Sequence, residues 1–178
     1  MQNFVHLHVH SQYSLLDGQS SIKGMVNKAV ADGMRGMALT DHGNMFGAKE
    51  LYDSCNKINT ERKENGQEPF KPIFGCEMYV ARSGDKTIRE SKEDQSGWHL
   101  IVLAKNLTGY HNLIKLVSRA WVDGFYMRPR TDHKDLEKYH EGLIVCSACI
   151  GGEVPKKILN GDINGAEETI KWFHNIWG

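Results

Sequence analysis

The sequence has few cysteines and prolines, no excess of charge of either sign and no long apolar run. Its 178 residues include only four cysteines and four prolines, and its 22 basic side chains balance 22 acidic ones. No apolar run approaches the roughly 20 residues that cross a bilayer, and the N-terminus lacks the charged-then-apolar pattern of a secretory signal. The balanced charge gives no global attraction toward nucleic acid or anionic membranes. We therefore expect a cytoplasmic protein without a membrane partner, in which any nucleic-acid binding is local or supplied by another region.

The few cysteines also limit the chemistry. In a cytoplasmic protein, Cys55, Cys76, Cys146 and Cys149 are expected to be thiols or metal ligands rather than disulfides. The spacing Cys146-x-x-Cys149 is compatible with a redox pair, but the chain has no second CxxC for a zinc ribbon, and this one follows a late strand. A single cysteine ligand, with Cys146 facing the core, is the favoured reading.

Apolar runs alternate with segments of helical periodicity along the whole chain, which is long enough for one domain with a real core. The predicted strands are residues 4–9, 36–40, 72–80, 98–104 and 143–147. The predicted helices are residues 22–32, 45–59, 108–121, 154–159 and 163–177. Repeated β-then-α units predict a parallel sheet, doubly wound or barrel, with ligands at the carboxyl ends of the strands. The polar, glycine-punctuated segment 82–97 is predicted to be a mobile loop.

The stretch FVHLHVHSQYSLLDG places His6, His8 and His10 at alternating positions of the first predicted strand. Alternate residues share one face of a strand, so His8 and His10 are expected about 6.5–7 Å apart. That separation suits two neighbouring metal ions better than one. Chance packing of histidines in a strand is the competing explanation. His6 lies further from the end of the strand, and we expect it to support the site or to pack in the core.

Other predicted strands also carry metal-ligand residue types near their ends. These are Asp17 after the first strand, Asp41 and His42 after the second, Cys76 and Glu77 in the third, His99 at the start of the fourth and Cys149 after the fifth. Each alone has an ordinary explanation, such as a turn, a helix cap or a surface carboxylate. Together they predict a site for zinc, manganese or iron. Paired metals are a common device for phosphoryl transfer, because one activates water while both stabilise the attacking and leaving oxygens.

Two arginines in the sequence MRPR, Arg128 and Arg130, are candidates for binding a phosphate. Surface arginines are common, so an ordinary exposed role is the alternative.

The motifs HLHVHSQYSLLDG, ALTDHGNMFGA, KPIFGCEMYV, GFYMRPR and EGLIVCSACIGGEVP together resemble the PHP (polymerase and histidinol phosphatase) domain of bacterial replicative DNA polymerase III alpha subunits. The resemblance runs from residue 4 to residue 176. It implies an α/β fold, a TIM-like (β/α)7 barrel whose strand ends hold two to three divalent metal ions.

Motif by motif, the resemblance also implies roles for individual residues. The implied metal ligands are His8, His10, Asp17, His42, Glu77, His99 and Cys149. Among them Asp17, His42 and Glu77 are assigned to the catalytic centre, with Glu77 as a bridging carboxylate. Asp41 is expected to support the site rather than to bind metal.

The sequence departs from the family pattern in one respect. The family has seven strands and a final Asp-x-His motif, whereas we count five strands and no such motif after Cys149. We therefore expect residues 1–178 to be an N-terminal PHP fragment of a much longer polymerase subunit, weakly active or inactive by itself. The exposed edges of an incomplete barrel favour self-association.

The resemblance implies a part in DNA replication, with DNA and other replicase subunits as partners. The expected activity is that of a metal-dependent phosphoesterase, a 3′→5′ exonuclease that removes misincorporated nucleotides. One alternative is a metal-stabilised scaffold without hydrolysis. Another is a phosphatase for a small phosphomonoester such as histidinol phosphate.

Overall fold

The computed structural model describes residues 4–178, in which helices pack on a mixed, open sheet of six strands. The strands are β1 (Gly36–Leu39), β2 (Lys71–Ala81), β3 (Gly97–Ala104), β4 (Phe125–Tyr126), β5 (Arg128–Thr131) and β6 (Leu143–Cys146). The helices are α1 (Ile22–Ala31), α2 (Ala48–Glu64), α3 (Leu107–Val122), α4 (His133–Lys138), α5 (Glu153–Leu159) and α6 (Ile163–Trp177).

The long strand β2 organises the sheet. Along one edge it pairs in parallel with β1 through its first residues and with β5 near its end, and an isolated bridge from His42 to Glu77 lies between them. Along the other edge it pairs antiparallel with β3, which pairs antiparallel with β6. β2 therefore contacts most of the chain segments that carry candidate ligands.

The prediction of an all-parallel sheet is wrong for β3. A parallel neighbour needs a crossover connection, usually through an α-helix. The connection between β2 and β3 contains only a 3₁₀ turn at Glu93–Gln95, so β3 returns antiparallel. The start of β3 consequently lies beside the carboxyl end of β2. This direction explains why His99, at the start of its strand, still lies among residues from the ends of other strands.

The first predicted strand does not form as a regular strand. His6 makes an isolated parallel bridge to Met37, and the N–H of Thr40 donates to the carbonyl of Val9 at 2.9 Å. Between these contacts the chain bends at residues 7–8. Residues 4–10 are therefore a bent edge segment beside β1.

Alternation along β2 separates the core from the site. Cys76, Met78 and Val80 are buried against β3 and the apolar face of α3, so Glu77 and Tyr79 project from the opposite face. A second cluster packs α1 and α2 on β1 through residues that include Ile22 and Leu51. The two cores thus leave one face of the middle of β2 available for polar side chains.

The predicted loop 82–97 is irregular up to the start of β3, apart from the 3₁₀ turn, and two buried cations, Arg130 and Lys86, contact it or lie in it. The Arg130 guanidinium donates to the carbonyls of Lys86 and Ile88 at 2.7 and 3.0 Å. The Lys86 ammonium lies 2.9 Å from carboxylate oxygens of both Asp132 and Asp135. Polar groups of this segment therefore form hydrogen bonds and ion pairs inside the protein as well as contacts with solvent.

All four cysteines have free thiols. Within residues 4–178, no helix has both the length and the apolar character needed to cross a membrane.

Candidate metal centre

The carboxylate of Glu77 is the centre of a histidine cluster. Its side chain is only 1% exposed, because it projects from the middle of β2 beneath the surrounding rings. Its Oε2 lies 3.1 Å from His8 Nε2, 2.9 Å from His10 Nε2 and 3.1 Å from His42 Nδ1. Its Oε1 lies 2.7 Å from His99 Nδ1. One carboxylate is therefore approached by four imidazoles.

Three separate parts of the chain deliver these imidazoles. His8 and His10 come from the bent edge segment, His42 from the turn after β1, and His99 from the start of β3. The Nε2 atoms of His8 and His10 are 3.0 Å apart, much closer than a regular strand would place alternate side chains. The bend at residues 7–8 accounts for this convergence.

Asp17 and Cys149 extend the cluster on two sides. Asp17 Oδ2 lies 3.2 Å from His42 Nε2, and Cys149 Sγ lies 3.7 Å from His99 Nδ1. All seven side chains that the sequence nominated as ligands thus lie in one continuous cluster.

Within this cluster, three groups each bring three ligand atoms within 4.8 Å of one another. They are His8 with His10 and Glu77, His10 with Asp17 and His42, and His42 with Glu77 and His99.

The chemistry of the cluster fits divalent cations. Imidazole nitrogens, carboxylate oxygens and a thiol are the ligands of zinc and similar metals. His42 Nδ1 is buried and makes no well-aligned hydrogen bond, although Glu77 Oε2 is 3.1 Å away. Ring nitrogens of His8, His10 and His42 all lie 2.9–3.1 Å from Glu77 Oε2, and one carboxylate oxygen has too few lone pairs to accept from all three. Cations among these atoms would satisfy their lone pairs.

The electrostatics keep the central carboxylate charged. Burial alone would raise the pKa of Glu77, but hydrogen bonds from His10 and His99 and the charge of His42 hold that pKa well below its usual value. The hydrogen bond to Glu77 raises the pKa of His10, whereas burial lowers the pKa of His42. Glu77 is thus an anion throughout the physiological pH range and attracts cations.

A hydroxyl–carboxylate relay orients His10. The Ser14 hydroxyl donates to Asp41 Oδ1 at 2.7 Å and lies 2.8 Å from His10 Nδ1. Because the hydroxyl proton is committed to Asp41, the Ser14 oxygen accepts from Nδ1–H of His10. Nε2 is then the nitrogen whose lone pair would be available to a metal ion in place of the proton it shares with Glu77. Asp41 is fixed in turn by the N–H and hydroxyl of Ser11, at 2.6 and 2.7 Å.

Sequence reasoning placed Asp41 behind the site but missed Ser11 and Ser14. A serine in a loop is an ordinary turn residue, so its type carries no signal. The available signal was position, since both serines lie between the H-x-H motif and Asp17.

We predict that replacing Ser14 by Ala weakens metal binding about 10- to 100-fold, the usual effect of removing a group that orients a ligand. The variant frees Nδ1 of His10 to exchange tautomers. The Kd for zinc, measured by competition with a chromophoric chelator, checks this. Ser14→Thr keeps the hydroxyl and should restore most of the affinity, and Ser20→Ala, at an exposed position, should leave it unchanged. An unchanged Kd in Ser14→Ala would contradict the relay.

His6 and the two nominated arginines lie outside the cluster. His6 is exposed and packs edge-on against Phe4, with ring centroids 4.8 Å apart, so it neither supports the site nor enters the core. Arg130 is fully buried and its guanidinium is occupied by backbone carbonyls, so the expectation that it meets a phosphate is wrong. Arg128 is exposed, and its guanidinium carbon lies 5.8 Å from the centroid of Tyr79, whose ring stacks on His42.

Comparisons with known proteins identify the family. The model of the PHP domain family matches residues 6–178. The DNA polymerase III subunit alpha of Borreliella burgdorferi is 46% identical over 98% of this chain, and that of Treponema pallidum is 44% identical over 99%. The chain spans only 14% of the length of each of these relatives.

Solved structures are less similar. A protein described as a metal-dependent phosphoesterase, from Bifidobacterium adolescentis, aligns with 68% of this chain and 35% of its own, at 18% identity and a TM-score of 0.38. The family assignment therefore rests on sequence. The chain belongs to the PHP domain family, and it matches the N-terminal region of DNA polymerase III alpha subunits.

Proposed function

We propose that this chain is the PHP portion of a replicative DNA polymerase subunit and that its histidine cluster hydrolyses phosphodiester bonds with two or three divalent metal ions. The observation that carries the proposal is the convergence of four imidazoles on the buried carboxylate of Glu77, with Asp17 beside His42 and Cys149 beside His99. The relatives' names point to DNA as the substrate. Nucleotide addition, contacts with other replicase subunits and a cytoplasmic setting belong to the same proposal.

Each side chain has a distinct part in the proposed site. Glu77 would hold ions through both of its oxygens, because these face different histidines. His8 and His10 would hold metal on one side of Glu77, Asp17 and His42 on a second, and His99 and Cys149 on a third. Zinc, manganese and iron all suit this mixed set. When bound, such ions supply Lewis acidity that activates water and stabilises the leaving oxygen.

The cluster is open on the side where a DNA strand would arrive. Asp17 has a side-chain exposure of 57%, His8 of 34%, and Cys149 is exposed. A phosphodiester at the end of a strand can therefore reach the ligands without a buried channel. We propose that the reaction is the 3′→5′ removal of misincorporated nucleotides.

We also propose that the open sheet of this chain is part of a closed barrel in the longer protein. Residues 4–10 and β6 lie at opposite ends of the open sheet in the described chain. Further strands between them would close a (β/α)7 barrel around the cluster. By itself the chain would then be a weak enzyme, and its unpaired edges would favour self-association.

The decisive experiment measures hydrolysis and stability in the same variants. The full-length subunit and this chain, treated with chelator and reloaded with manganese or zinc, are given 5′-labelled single-stranded DNA. We expect metal-dependent shortening, lost in His8→Ala/His10→Ala but kept in His6→Ala, a nearby exposed histidine outside the cluster.

Two other outcomes would favour the alternative functions. A lower melting temperature in the double variant with unchanged hydrolysis would indicate a scaffold. Turnover of histidinol phosphate without cleavage of DNA would indicate a small-molecule phosphatase.

A further inference from the structure

Three aromatic side chains form an exposed surface that the metal cluster does not use. Phe46, Trp121 and Phe125 are 62%, 41% and 43% exposed. The rings of Trp121 and Phe125 are nearly parallel, at 15° and 5.4 Å between centroids, and Phe46 lies 6.3 Å from Trp121. We call these three residues the aromatic shelf. Large rings left this exposed, and grouped, commonly mark an interaction site.

The aromatic shelf is attached directly to the metal centre. The indole Nε1 of Trp121 donates to the carbonyl of Gly43 at 2.8 Å, one residue beyond His42. Gly43 has a φ of +62°, and a Cβ there would lie 2.6 Å from Cγ of Pro129. The turn that carries His42 is thus closely packed, and the indole is fixed in orientation beside it.

A cation lies against the same turn. The exposed guanidinium of Arg128 is 5.8 Å from the centre of the Tyr79 ring, and that ring stacks on His42 at 5.8 Å and 14°. His42 is therefore bordered by Arg128 through Tyr79 and by the aromatic shelf through Gly43. Planar apolar rings and a planar cation therefore both border the turn that carries one of the candidate ligands.

We propose that the aromatic shelf and Arg128 bind single-stranded DNA and lead its 3′ end to the metal centre. Bases stack on exposed aromatic rings with little regard to sequence, and an arginine guanidinium matches a backbone phosphate. Single-stranded rather than duplex DNA is favoured because the bases of a duplex stack on one another and are not free for the rings. This inference rests on the proposed phosphodiester hydrolysis and adds the form of its substrate.

The test compares a strand with bases against a strand without them. Fluorescence anisotropy measures binding of a labelled oligothymidylate and of an abasic strand of equal length, both with nuclease-resistant phosphorothioate linkages. We expect the strand with bases to bind about tenfold or more tightly, the scale of one or two stacked bases. Phe46→Ala/Phe125→Ala should remove this preference, whereas Arg128→Ala should weaken both strands to a similar extent. Tyr52→Ala, which removes a half-exposed ring on α2, is the matched control.

Two results would overturn the inference. One is equal affinity of the wild type for the two strands. The other comes from the full-length subunit with a photo-cross-linking residue at position 125: attachment to another part of the protein in the presence of DNA would show that the aromatic shelf is a protein interface.

Failure of the inference can be told apart from failure of the proposed function. Bis(p-nitrophenyl) phosphate is a small diester without bases, so Phe46→Ala/Phe125→Ala, which leaves Trp121 in place, should hydrolyse it at the wild-type rate. Hydrolysis of this diester together with base-independent strand binding would reject the aromatic shelf alone. Base-dependent binding without any metal-dependent hydrolysis would support the aromatic shelf and reject the catalytic proposal.

Discussion

Replacing Glu77 by Gln should remove bound metal and reduce phosphodiester hydrolysis by at least about a hundredfold. Groups that merely orient a metal ligand already contribute 10- to 100-fold, and Glu77 is the one carboxylate that all four central imidazoles share. The amide keeps the size of the side chain but loses the negative charge and one acceptor oxygen. Its NH2 group also presents protons to nitrogen atoms whose lone pairs are needed for cations.

Metal content by elemental analysis and turnover of bis(p-nitrophenyl) phosphate check this expectation together. Glu61→Gln, at an exposed position on α2, is the matched control and should behave as the wild type. A Glu77→Gln protein that purified with a full complement of metal would show that the ions lie elsewhere. Circular dichroism of the variant establishes that any loss of metal occurs in a folded chain.

Much of the candidate site could be predicted because ligand chemistry restricts residue type. Imidazoles and carboxylates such as His8, His42 and Glu77 stand out in a sequence, and the ends of strands in an α/β sheet meet at one edge. The bridge between His42 and Glu77 shows this meeting directly. His99 is an exception, because it lies at the start of β3 rather than at its end. The direction of β3 depends on the connection at residues 82–96, and the hydrophobic periodicity of the sequence does not reveal that direction.

The features that could not be predicted depend on tertiary contacts between residues that are far apart in the sequence. Ser14 and Asp41 form a relay only because the loop before α1 folds back over the turn after β1. Likewise, nothing in the letters MRPR distinguishes Arg128, which is exposed, from Arg130, which is fully buried. Arg128 and Arg130 are two residues apart on the same short strand. Their difference in burial depends on which other segments of the folded chain pack against each of them.

Because Arg130 is buried and Arg128 is exposed, we expect their replacement to affect stability very differently. We expect Arg130→Ala to lower the free energy of unfolding by about 3–5 kcal/mol, because each buried acceptor left without a donor costs about 1–3 kcal/mol. The substitution leaves the carbonyls of Gly124, Lys86 and Ile88 without the donors that now lie 2.7–3.1 Å away. It also leaves a cavity where the largest of the fully buried side chains stands.

Urea unfolding followed by circular dichroism measures the loss, and three variants separate its causes. Arg130→Lys keeps the charge but cannot reach three carbonyls with one ammonium, so it should recover only part of the stability. Arg128→Ala should stay within about 0.5 kcal/mol of the wild type, as exposed substitutions usually do. In Arg130→Ala, trypsin should cut first in the segment 82–97, because that segment loses its buried anchor. A loss below about 1 kcal/mol, with no new cleavage there, would mean that the ion pairs of Lys86 with Asp132 and Asp135 hold the segment without Arg130.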